Sequence, residues 1–170
     1  MPNIPKTGFG LLLFAIIGKQ PHLATVMELT SNPRISKRAG SISFPLETVD
    51  KKLDHCPQDT VDRLLIEELG LSPKQVVYEI VEENFMLIPD DKNIVTRYAY
   101  GFVRGKDLPC ISPQDTDIIF YRWMPMDELF NTSHTRIETK PILQHFNDSG
   151  LYLKNLDTMC AQQFTLSTSV

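Results

Sequence analysis

The chain has 170 residues, 42% of them hydrophobic and 22% charged, with 17 basic against 21 acidic side chains and a net charge of −4. That is enough for one domain with a sizeable core, and the composition is that of a folded globular protein rather than a disordered one. The acidic balance, with no Lys/Arg run beyond the short RISKR at 34–38, argues against broad nucleic-acid binding.

The apolar run GFGLLLFAIIG (8–18) is too short to cross a bilayer and follows no strongly basic leader, so it reads as a buried strand, with Leu11–Ile17 covered on both faces. After a turn at KQPH, Leu23–Leu29 reads as a second strand that closes a hairpin. TSNP breaks regular structure, and Gly40–Leu46 alternates apolar and polar residues up to Pro45, the pattern of a short strand entering a loop.

Beyond a charged loop, Val61, Leu64, Leu65 and Leu69 recur at helical spacing over Gln58–Leu69, with Pro57 at the start and Gly70 as the stop. Val76–Ile88 and Ile94–Gly105 are β-rich runs about the turn PDDKN and predict a long hairpin. A Pro- and Asp-rich loop at 106–116 leads to a strand over 117–126, whose end opens a helical turn, and a second helix is expected over 137–150. The polar tail from about residue 158 is expected to pack loosely. No repeat or linker divides the chain, so one domain spanning 1–170 is expected, a mixed sheet with helices on its faces.

Cys56, Cys110 and Cys160 are odd in number and lack CxxC spacing, which speaks against a disulfide framework or a zinc knot and suits a cytoplasmic protein. His22, His55, His134 and His145 are scattered, and no Ser-His-Asp set, Walker loop or GxGxxG is present.

The informative stretch is DRLLIEELGL (62–71). Positions 64, 67 and 68 stand at i, i+3, i+4 on the predicted helix, where carboxylates would concentrate enough charge for Mg²⁺. Two of the three are Glu67 and Glu68, and the third is Leu64. Arg63, four residues before Glu67, is placed to pair with it.

In this spacing the sequence resembles the Nudix hydrolase family. Its signature runs Gly, five residues, Glu, seven residues, Arg-Glu, an apolar residue, any residue, Glu-Glu, any residue, Gly, an apolar residue. Arg63, Leu65, Glu67, Glu68, Gly70 and Leu71 match it. Val49 stands for the first Gly, His55 for the first Glu and Leu64 for the Glu after Arg, so the box is degenerate. SFPLE (43–47) is similar to the family's Pro-Gly-Gly entry with Leu46 and Glu47 in place of the glycines, and RWMPMDEL (122–129) resembles the strand and turn before the closing helix.

The resemblance implies an α/β Nudix-type α/β/α sandwich over roughly residues 8–147. It implies a hydrolase of nucleoside diphosphate-linked pyrophosphates, with Mg²⁺ or Mn²⁺ held by Glu67 and Glu68 and with Arg63 orienting Glu67. Leu64 cannot coordinate a hard cation, so activity is expected to be reduced or altered. Asp115, Asp117, Glu82 and Glu83 are candidates for a replacement ligand or base, and Arg34, Lys37 and Arg38 for phosphate contacts. The alternative is a catalytically inactive module that binds a nucleotide or a protein partner. A homodimer is compatible with either reading.

Overall fold

The computed structural model describes residues 6–87 and 94–151. Among these, seven strands form one mixed sheet: β1 (Lys6–Ile17), β2 (Gln20–Glu28), β3 (Ile42–Ser43), β4 (Leu46–Thr48), β5 (Val76–Leu87), β6 (Ile94–Val103) and β7 (Ile118–Pro125). The strands β3-β2-β1-β6-β5 lie side by side in that order, while β4 pairs with β1 and β7 with β2. Only the β1–β6 pairing is parallel, with Gly8 opposite Thr96 and Phe14 opposite Phe102. The described residues also form three α-helices, α1 (Pro57–Leu69), α2 (Met126–Asn131) and α3 (Thr139–Asp148), and two short 3₁₀ helices at Pro33–Ile35 and Pro73–Gln75.

The expected hairpin of the first two strands is present, with a tighter turn than KQPH suggested. Gly18 and Lys19 both have positive φ, at 56° and 68°, the two-residue geometry that matches the twist of paired strands. β2 therefore begins at Gln20 and carries Pro21 near its start. The strand expected over Gly40–Leu46 divides into β3 and β4 on either side of Pro45, and Asn32–Pro33 opens a single 3₁₀ turn. The turn PDDKN and the tail from residue 158 lie outside the described residues.

Period-two alternation along β1 divides the core into two layers. Phe9, Leu11, Leu13 and Ala15 face Val61, Leu64, Leu65 and Leu69 of α1. Leu12 and Phe14 point the other way, toward Ile142, Leu143 and Phe146 of α3 and Leu129 of α2. The continuous apolar run is thus covered on both sides, as a strand between two helical layers must be. This is the expected α/β/α sandwich. Among the described residues no helix is long and apolar enough to cross a membrane.

Candidate functional site

Helix α1 is fixed at both ends. At its start the Asp59 carboxylate accepts the N–H groups of His55 and Cys56, at 2.8 and 3.2 Å, and Pro57 takes the first-turn position where an N–H is dispensable. At its end Gly70 adopts φ 66°, donating to the Ile66 carbonyl, while Leu71 N–H reaches back to Leu65. The loop before β7 then docks on this end: Ser112 N–H donates to Leu69 O, and Gln114 and Asp115 N–H both donate to Glu67 O. A Cβ on Gly70 would stand 2.2 Å from Ser112 O, so glycine is required twice over.

The buried face of α1 carries Val61, Leu64, Leu65, Glu68 and Leu69. Leu64 is fully enclosed in the core, so this position faces the sheet. Glu68, one turn further on, shares that face but reaches its edge, where a cleft of ≈ 130 Å³ opens between β1, β4, α1 and the loop before β7. Glu67 lies outside the cleft lining; its side chain is 43% exposed and accepts a bond from Arg63 Nη1 at 3.3 Å. The two glutamates of the box therefore play different parts.

Arg63 ties the entry loop to the helix. Its Nε and Nη2 donate to the two oxygens of Asp54 at 3.2 and 2.8 Å, Nη2 also reaches the Thr48 carbonyl at 2.8 Å, and Nη1 stands 3.3 Å from Glu47 as well as Glu67. This fork uses the planar guanidinium as a lysine could not. The bond to Asp54 raises Arg63 above its ordinary range and holds the Asp54 carboxyl below its own. Asp54 thus anchors the arginine, while the exposed His55, which stands for the signature's first Glu, contributes only its backbone to the helix cap. An acid one residue out of register was the signal available in the sequence.

Five carboxylates line the cleft, Glu28, Glu47, Glu68, Asp115 and Glu138, against two cations, Lys37 and Arg136. Arg136 Nη1 meets Glu28 at 2.8 Å and Nη2 meets Glu138 at 3.3 Å, while Lys37 Nζ meets the other oxygen of Glu28 at 2.7 Å. Sequence reasoning missed Glu28, Arg136 and Glu138; a lone Glu in the apolar run LATVMEL was the one trace of this buried network. Thr96 Oγ1, Arg136 Nε and Glu138 Oε2 are buried beside the cleft with no hydrogen-bond partner among the described residues.

Glu68 is the most perturbed of the acids. It is only 4% exposed, and no described residue offers its carboxylate a hydrogen bond or ion pair. Burial pushes its pKa up to about 9, with the charges of Glu47, Asp115 and Glu28 adding to the effect and Lys37 opposing it. Glu47, itself raised chiefly by burial, has one oxygen on the Thr48 N–H at 2.8 Å.

Of the other expected site residues, Lys37 reaches the cleft. Arg34 is exposed, and Arg38 lines a separate groove with Ser133 and His134. Asp115 lines the cleft, while Asp117 is exposed and donates its N–H to Asp115 Oδ1. Glu82 pairs with Arg97 and Glu83 with His145, away from the cleft.

The donor set is oxygen alone, which suits a hard divalent cation. Among the described residues no three His, Cys, Asp or Glu side chains are arranged to enclose an ion. An orphaned, buried Glu68 beside other carboxylates fits a cation that takes one or two protein oxygens and completes its shell with water and a phosphate, as Mg²⁺ commonly does.

The chain matches no protein-family profile and no curated protein. Its backbone, however, superposes on several solved structures. The Nudix domain of Shewanella oneidensis NrtR, solved with ADP-ribose, is 14% identical at a TM-score of 0.66, covering 86% of this chain and 89% of that one. A MutT protein from Methanosarcina mazei Go1 is 14% identical at 0.65, covering 89% and 99%. The C. elegans Ap4A hydrolase is 15% identical at 0.60, covering 86% and 98%. The chain has the Nudix fold. The α1 helix, which carries RLLIEELGL, and its flanking cleft are therefore parts of a domain with that fold.

Proposed function

We propose that this Nudix-fold chain hydrolyses a nucleoside diphosphate-linked or similar pyrophosphate substrate with the aid of Mg²⁺ or Mn²⁺, more slowly than a chain with an intact box. The observation that carries the reading is Glu68, an unpartnered carboxylate 4% exposed in an acidic cleft. A purely structural glutamate so placed would cost stability at neutral pH with no return, since the fold holds it protonated where the unfolded chain ionises freely. The C. elegans neighbour in fold is an Ap4A hydrolase and the Shewanella domain was solved with ADP-ribose, which supports the substrate class.

In this reading Glu68 holds the cation within the cleft, and Glu67 stands outside its lining, oriented by Arg63. A divalent cation bound there neutralises phosphate charge and polarises a phosphoryl oxygen. Lys37, which also lines the cleft, offers an ammonium to a phosphate oxygen, while Arg34 and Arg38 stand outside the cleft and would meet only a substrate that extends beyond it. Arg63 keeps the entry loop and helix in fixed relation through Asp54 and Thr48 O, so that the wall of the cleft does not have to reorganise when phosphate binds. The absence of a carboxylate at Leu64 accounts for the reduced rate, by about 10²- to 10⁴-fold if a general base is lost with it.

The test is release of phosphate or nucleoside monophosphate from a panel of nucleoside diphosphate derivatives with Mg²⁺ or Mn²⁺, beside Glu68→Gln. Release by the wild type that the variant lacks supports the reading. No release from protein shown to be folded overturns it and leaves a binding module of the same fold.

A further inference from the structure

Leu64 is turned into the core and Glu67 lies outside the cleft, so α1 gives the cleft a single carboxylate. A second arrives from another element. Glu47 sits in the middle of β4, opposite Phe9 of β1, and its side chain enters the cleft beside Glu68. We infer that Glu47 supplies the second carboxylate of the cation site, in place of the one that Leu64 cannot provide; this rests on the hydrolase reading above.

Three observations support it. Strand pairing and Arg63 hold Glu47 in place: Oε1 accepts the Thr48 N–H at 2.8 Å and Oε2 stands 3.3 Å from Arg63 Nη1. Each carboxylate oxygen has two lone pairs, so both retain capacity for a cation. Next, Glu47 and Glu68 line one cleft of ≈ 130 Å³, a space of a few water volumes, from two different elements. Finally, Glu68 is more than nine-tenths buried and unpartnered, and it lines the same cleft, so the pair repel unless a cation or proton lies between them.

Asp115 also lines the cleft, but it sits on a loop rather than on a paired strand. Glu47 is the better preorganised of the two. The arrangement moves the cation site from one helix face to the junction of α1 and β4. The degenerate box is then compensated by a residue that stands where the resemblance expected glycine.

The experiment is titration of the full chain with Mn²⁺, followed by the electron paramagnetic resonance of the free ion, alone and with methylenediphosphonate as a non-hydrolysable pyrophosphate. Wild type is compared with Glu47→Gln, Glu47→Asp and Glu68→Gln. Glutamine keeps an oxygen for the Thr48 N–H, and melting in chelator verifies that each fold is intact. The expected result is a loss of Mn²⁺ affinity in Glu47→Gln of about tenfold or more, with partial recovery in Glu47→Asp. Wild-type affinity in Glu47→Gln, with binding lost in Glu68→Gln, would overturn the role of Glu47 and leave the hydrolase reading standing. No Mn²⁺ binding by wild type in either condition would overturn both.

Discussion

Glu68 gives the sharpest quantitative test. Its pKa is raised from 4.5 to about 9, chiefly by burial. The sign follows from linkage: below about pH 4.5 the carboxyl is protonated in the folded and unfolded chain alike and costs nothing. As pH rises, the unfolded chain ionises freely while the folded one resists, so stability falls steadily until the folded pKa is reached. At pH 7 the gap of 2.5 units amounts to about 3 kcal/mol at roughly 1.4 kcal/mol per unit. Glu68→Gln keeps the shape without the charge and should remove most of this penalty. At about 2 to 4 °C per kcal/mol for a chain of this size, the variant should melt roughly 6 to 12 °C higher at pH 7, with the two curves converging near pH 4.5. The assay is thermal melting by circular dichroism from pH 4.5 to 9 in chelator, repeated with Mn²⁺, which should raise the melting temperature of the wild type alone. A difference that does not change with pH, or a less stable variant at pH 7, would refute the claim that Glu68 is buried without a partner.

Arg63→Ala should cost about 3 kcal/mol in urea unfolding, because it leaves the buried carboxylate of Asp54 unpaired; Arg63→Lys should recover less than half, since one ammonium cannot replace the fork. The Arg63 bond holds Asp54 below its unfolded value of 3.8, so this pair contributes stability above that pH and loses it as pH falls through the lower folded value. Asp54→Asn should flatten that acid limb of the stability curve. Gly70→Ala should cost at least about 2 kcal/mol, from positive φ together with the 2.2 Å approach to Ser112 O. Leu64→Glu, which rebuilds the family's pattern on paper, should destabilise by about 4 kcal/mol or more by placing a carboxylate among Val61, Leu65 and Leu69. A folded Leu64→Glu variant with tighter Mn²⁺ binding would show that this helix face can turn to the cleft.

The elements that declare themselves through local chemistry were readable from the chain. Val61, Leu64, Leu65 and Leu69 describe α1 because helical spacing and the Gly70 stop agree, and the apolar run of β1 is long because both faces are covered. What could not be read depends on contacts far apart in sequence. Arg136 and Glu28 meet across 108 positions, and nothing local marks Arg136 as a residue buried between two glutamates. The division of labour between Glu67 and Glu68 was likewise hidden: adjacent carboxylates at 100° apart on a helix differ only once the sheet settles which of them faces inward. The RISKR cations look equivalent as text, but the 3₁₀ turn at Pro33–Ile35 and the left-handed Ser36 carry only Lys37 to Glu28.

The same settling of the helix explains why leucine suits position 64. Leu64 and Glu68 are four residues apart on the buried face, so the sheet that encloses one also dehydrates the other. A second carboxylate one turn away on that face would share Glu68's poor solvation and repel it, and burial would penalise the pair more than either alone. Glu47 is also raised by burial and also repels Glu68, but Arg63 stands 3.3 Å from one of its oxygens and a backbone amide donates to the other, which offsets part of that cost. Arg63 in turn is not consumed by Glu47, since Asp54 takes its strongest bonds. Leu64, Glu47 and Asp54 are therefore physically consistent with one another: the core encloses the leucine, Arg63 pairs with the strand carboxylate, and Asp54 anchors Arg63.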